Sequence, residues 1–279
     1  MITIINIELY KIFKKWRTYI GFIAIALIVA LVQIAMYIQG ERSIDFMTRD
    51  IQQSFVFVGN LLNGYLISYL ILNTLHIQIP FLIALVAGDL LAGEATAGTY
   101  RLLITRPVSR FSLITSKFLA GMIYTTLLVC WLAFVSLVLG FVLFGSGELI
   151  VLKPGGLVIF ARDDVFWRFL LSYGFAALSM LVVASLAFLL SSLVENAIGP
   201  IVTTMAIIII FLVISQIPVD IFQDIEPYLF TTYSSSWRLF FDDPINFGEV
   251  TKSVLILAAH VAVFYFVTIF IFKRKDILS

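Results

Sequence analysis

FLAGMIYTTLLVCWLAFVSLVLGFVLFGSG, residues 118 to 147, runs for 30 residues without a single Asp, Glu, Lys or Arg. An α-helix needs about 20 apolar residues to cross the roughly 30 Å hydrocarbon layer of a bilayer, so this stretch reads as a membrane span. Five more charge-free runs surround it, at 18 to 40, 51 to 88, 169 to 194, 196 to 219 and 253 to 272. Six runs predict six spans. The whole-chain composition follows from them: 61% of the 279 residues are hydrophobic and 13% charged, where soluble domains have roughly half and a quarter. A soluble globular enzyme and a disordered tail are both excluded.

The run from 51 to 88 is too long for one straight span, since 38 helical residues would reach about 57 Å. Its first part, through Gly64, carries Gln52, Gln53, Asn60 and Asn63, which places it outside the apolar layer and starts the helix near Tyr65. Pro80 lies inside that helix and removes a backbone donor. Ala84, Gly88 and Ala92 recur every four residues, which suits either close helix contact or a lipid-facing side. The expected spans are therefore about 18–40, 65–88, 118–144, 169–193, 197–219 and 253–272. The first reads as a retained span and not a cleavable leader, because no small-x-small cleavage site follows it.

Lys and Arg accumulate in cytoplasmic loops. With the N-terminus inside, residues 1–17, 89–117, the Glu195 turn and 273–279 hold eleven of the eighteen cations and five of the seventeen acids. The formal total of +1 thus separates into an inner excess of positive charge and an outer excess of negative charge, which predicts both termini in the cytoplasm. That balance offers nothing to a nucleic acid. Residues 1–17 place Ile5, Leu9, Ile12, Phe13 and Trp16 on one helical face and Lys11, Lys14 and Lys15 on another, the pattern of an interfacial amphipathic helix on the lipid bilayer.

Chemistry inside the spans is sparse. A gradient-driven carrier usually keeps ionisable groups within the membrane, and here only His76 and His260 qualify. His76 stands near Asn73 and Gln78, so these three either line a polar path or hydrogen-bond to neighbouring helices; His260 has no polar neighbour one turn away. A single cysteine, Cys130, leaves no intrachain disulfide and no cysteine-built metal site. No metal site and no catalytic residues are expected. Gly140 to Gly145 has P-loop spacing without the Lys-Ser/Thr that holds phosphate, so ATP hydrolysis would need another polypeptide.

The segment from 89 to 117, DLLAGEATAGTYRLLITRPVSRFSLITSK, is long for a connection between two spans. Residues 94 to 105 allow a short helix with Tyr100, Leu103 and Ile104 on one side, Pro107 breaks it, and Ser109 or Ser112 caps the helix that follows. Arg110 and Lys117 read mainly as positive-inside anchors. The order Glu94, Gly98-Thr99, Leu102-Leu103, Pro107 to Arg110 and Lys117 resembles the membrane subunits of ABC-2-type transporters, and within them the group named for multicopper-enzyme maturation. The resemblance extends to the six-span layout, the basic N-terminal helix and the outer loop at 220–252.

That resemblance implies an all-α polytopic membrane protein and a permease subunit, of exporter type, in the cytoplasmic membrane. It implies a cytoplasmic ATPase dimer that brings ATP and Mg, and a second copy of the chain or a related permease. Residues 94 to 106 would be the coupling helix seated in an ATPase groove, with Tyr100, Leu103 and Ile104 as its apolar face and Glu94, Arg101 and Arg106 pairing across the rim. A scaffold that passes ATPase motion to an extracytoplasmic partner without transport is the alternative. Residues 220–252 hold eight aromatics between Phe222 and Phe247, a composition suited either to a gate over an exit path or to an interfacial loop. Residues 148–168 read as a turn-rich outer stub, and Glu195-Asn196 as a tight inner turn.

Overall fold

A computed structural model describes residues 1–52, 61–98, 109–153, 156–217 and 219–274. The chain runs α1 (Ile2–Lys14), α2 (Trp16–Gln52), α3 (Gly64–Ala87), α4 (Asp89–Thr96), α5 (Arg110–Phe144), β1 (Leu149–Lys153), β2 (Gly156–Phe160), α6 (Arg162–Leu193), α7 (Ile198–Gln216), α8 (Asp220–Gln223), α9 (Phe230–Ser234) and α10 (Phe247–Arg274). Among these residues six helical stretches are long and apolar enough to cross a membrane: Trp16–Gly40, Gly64–Thr96, Arg110–Phe144, Arg162–Leu193, Ile198–Ser215 and Phe247–Arg274. This is a multi-pass membrane protein.

α3 and α6 form the centre of the bundle, and α2, α7 and α10 turn most of their surface outward. α3 begins where Asn63 Oδ1 accepts the amides of Tyr65 and Leu66, satisfying two of the donors that a helix start leaves open. The Asn63 side-chain amide also donates to the Glu148 carbonyl at 2.6 Å, tying that start to the link between α5 and β1. Pro80 is buried inside α3 and the helix continues through it to Ala87. Ala84 and Ala92 are fully buried, and a Cβ on Gly88 would press against Ile201 and Pro200 of α7. The small residues therefore serve helix contact and not lipid exposure.

Three sequence expectations are corrected. The fold is not purely helical: Leu149–Lys153 and Gly156–Phe160 pair antiparallel, Leu149 opposite Phe160 and Lys153 opposite Gly156, with Leu149, Val151 and Phe160 turned inward. α6 starts at Arg162 and not near 169, so Arg168 belongs to it and is buried. Charge there is tolerated because Arg168 Nε donates to Asp164 Oδ2 at 2.8 Å while Nη1 donates to the carbonyls of Phe240 and Asp242, each at 2.9 Å.

The third correction concerns the aromatic segment after α7. Phe230, Trp237, Phe240 and Phe241 are buried, whereas Tyr228 and Phe247 remain exposed. Tyr69 of α3 meets the rings of Trp237 and Phe241 at centroid distances of 5.7 and 5.1 Å, and Phe169 of α6 meets Phe241 at 5.0 Å. Half of this segment is core, because aromatic rings that can pack edge-to-face against α3 and α6 gain more there than at a wet surface.

Candidate functional site

The helix starts and ends that the charge bias groups together meet at one end of the bundle. α1 crosses the start of α5, α4 continues directly from α3, and Ser191 near the end of α6 reaches both. The Ser191 hydroxyl accepts the amides of Leu91 and Ala92 and donates to the Gly88 carbonyl at 2.6 Å, so one side chain satisfies the first turn of α4 and its junction with α3. Thr96 Oγ1 donates to the Glu195 carbonyl, also at 2.6 Å, and fixes the other end of α4.

Within this frame four charged side chains close a ring. Glu8 accepts from Lys11 at 2.7 Å and from Lys117 at 2.7 Å; Glu94 accepts from Lys117 at 2.6 Å and from Lys11 at 3.0 Å. Signs alternate around it, the sum is zero, and the members come from α1, α4 and α5. Lys117 is 1% exposed and Glu8 4%, which only mutual neutralisation makes tolerable. Burial acts to raise the Glu8 carboxyl, but the Lys117 charge and the hydrogen bonds from Lys11 and Lys117 outweigh it and hold it below the ordinary carboxylate value. For Lys11 burial acts downward, and the hydrogen bond to Glu8 with the charge of Glu94 carries it above the ordinary lysine value.

Asp89, the first residue of α4, makes a second node. Its Oδ2 accepts from Lys15 at 2.7 Å and its Oδ1 from Arg17 at 3.2 Å, so α4 is held to the α1–α2 junction as well. The carboxylate folds back over Gly93, where any Cβ would overlap it. α4 then ends through Gly98, whose φ of +65° lies in the left-handed region that glycine occupies without strain.

The expected helix over 94–105 is thus replaced, in its described part, by one that begins at Asp89 and ends at Thr96. Glu94 is turned inward onto Lys11 and Lys117, not outward toward a partner, and Lys117 is a buried member of the ring and not a surface anchor. Arg110 opens α5 next to the Lys273 carbonyl, with Ser109 capping the helix by accepting the Ser112 amide. Thr99, Tyr100, Arg101, Leu103, Arg106 and Pro107 lie outside the described residues. Asn73 and His76 share the side of α3 that faces residues 234–238, and Gln78 does not join them. Asn73 accepts from Arg238, His76 is buried beside Trp237, and Gln78 is exposed on another side of α3.

The sequence reading placed Lys11 and Lys15 on the basic face of α1 without partners, and the roles of Glu8, Arg17, Asp89, Gly93 and Ser191 escaped it. One signal was available: Glu8 is the lone acid among residues 1–17, one turn from Ile12 and three residues before Lys11.

A family model described as Protein of unknown function (DUF2705) matches residues 24–278. The chain belongs to this family. Asp89, Glu94 and Lys117 fall inside the matched DUF2705 region, and α1 precedes it. The chain is also 26% identical over 206 residues to a protein of Bacillus subtilis (strain 168) described as "Uncharacterized protein YhcI". That match takes in 70% of this chain and 63% of the relative, so the chain spans less than two thirds of the relative's length.

Proposed function

We propose that this DUF2705 protein is the permease subunit of an ATP-binding-cassette exporter. It lies in the cytoplasmic membrane with both termini inside, and it moves its cargo with ATP hydrolysed by a separate ATPase dimer. The observation that carries the reading is the attachment of α4. This helix leads into the segment 94–106 that resembles a coupling helix and shares Glu94 with it, and it is fastened to α1 and α5 by the Glu8–Lys11–Glu94–Lys117 ring and to α6 by Ser191. A displacement delivered at 99–108 would pass through α4 into three helices as a rigid body. The orientation is supported by Lys11, Lys14, Lys15, Arg17, Arg110 and Lys117 gathering at one bundle end. ATP and Mg belong to the partner, and a second copy or a related permease completes the membrane part.

The test uses tagged protein solubilised from native membranes after mild cross-linking. A Walker-motif ATPase should co-purify with the unaltered chain, and Leu103→Asp should lose it while still inserting in the membrane. Absence of any such ATPase, or its full retention by Leu103→Asp, would overturn the reading.

A further inference from the structure

Where α1 meets α2 and α4 there is a cavity of about 540 Å³ whose charge is unevenly distributed. Ile12, Val86 and Leu90 give its buried lining an apolar part, beside the buried Glu8, Thr18, Asp89 and Lys117. Its charged lining comprises five cations and three acids. The ring of Glu8, Lys11, Glu94 and Lys117 accounts for two of each and is neutral, and Asp89 offsets only one of the pair Lys15 and Arg17. Lys14 is exposed, lies 5.9 Å from the centre of the Tyr10 ring, and has no acidic partner among the described residues. The surplus of two positive charges is therefore concentrated at residues 14 to 17.

That position has a definite height. The apolar span opens at Trp16, so Lys14, Lys15 and Arg17 stand where a bilayer changes from hydrocarbon to headgroups. Ile7 and Tyr10, exposed on α1, continue the apolar surface beside them. A ligand that fits must carry negative charge at one end and hydrocarbon at the other.

We infer that this cavity binds an anionic phospholipid, its phosphate between Lys14, Lys15 and Arg17 and its glycerol and first methylenes against Ile12, Val86 and Leu90. Free phosphate shares the headgroup chemistry but has nothing to place on the apolar lining. Because Lys15 and Arg17 are the partners of Asp89, an occupying phosphate draws on the same cations that hold the start of α4. Lipid occupancy and the position of α4 are thereby linked. The inference needs only a membrane protein and is independent of the transport reading.

Native mass spectrometry of the full chain from micelles doped equally with phosphatidylglycerol and phosphatidylcholine tests it. The unaltered protein should retain phosphatidylglycerol in preference, and Lys14→Gln should lower that preference about fivefold, the contribution of one cation near an anionic lipid surface. Adding Arg17→Gln should remove most of what remains. Equal retention of the two lipids by the unaltered protein, or an unchanged preference in Lys14→Gln, would overturn the proposal. Displacement of phosphatidylglycerol by inorganic phosphate at equal headgroup concentration would reassign the site to the free anion, and resistance to it supports the lipid. Lys14 makes no ion pair within the described residues, so its substitution leaves the fold intact, and the comparison of the two lipids needs no variant.

Discussion

The Lys117 ammonium lies 2.7 Å from Oε2 of Glu8, a residue 109 positions earlier in the chain, and both side chains are almost wholly withdrawn from solvent. Removing Lys117 leaves Lys11 as the ring's one cation for the carboxylates of Glu8 and Glu94. Lys117→Met should therefore destabilise the protein by about 3–5 kcal/mol. Glu8→Gln combined with Lys117→Met should cost less than Lys117→Met alone, because the neutral amide no longer requires a cation. Thermal unfolding of the three variants in detergent checks both statements; additive losses would refute the coupling.

Acid should loosen α1 before it loosens the spans. The Glu8 carboxyl titrates below the ordinary value of 4.5 when folded, so its contribution is complete above that pH and is lost as pH falls through the folded value. Lys11 titrates above 10.5 when folded, so its contribution is complete below that pH and is lost as pH rises through the folded value. Protection of the amides across Ile2–Lys14, taken relative to the intrinsic exchange rate at each pH, should accordingly be greatest between these limits, and Glu8→Gln should flatten the acid side of the profile.

Gly93→Ala should act at a distance. A methyl group there overlaps the Asp89 carboxylate, which must swing away and leave Lys15 and Arg17. We expect a modest loss, about 1 kcal/mol, since both cations are half exposed and such pairs are weak. Faster proteolysis or exchange at the α1–α2 junction, with spans unaffected, is the readout.

Arg168→Lys should not substitute for arginine. The guanidinium reaches Asp164 with one nitrogen and two carbonyls with another, a fork that a single ammonium cannot reproduce. Leaving the Phe240 and Asp242 carbonyls unmet should cost about 1–3 kcal/mol and speed exchange in residues 235–241.

The six spans were legible because runs free of charge leave few alternatives at about 20 residues each. The hairpin was also written in the sequence, since two β-branched runs flank Pro154-Gly155, but an overall apolar background hides a period of two. Composition could not place Trp237 and Phe241, because rings suited to a headgroup layer are equally suited to a core, and only their contacts with Tyr69 and Phe169 distinguish the two. Glu94 and Lys117 failed for a related reason. A charge beside a span looks like an anchor until its partner is known, and Glu8 lies too far away in sequence to suggest itself.

The burial of Trp237 and Phe241 bears on biosynthesis. These rings seat against Tyr69 and Phe169, from helices made much earlier. Tyr69 and Phe169 therefore lack these ring partners until residue 241 has left the ribosome and its segment has reached the ends of α3 and α6. Insertion of the early spans and completion of their interior are separate events, and the second waits for nearly the whole chain.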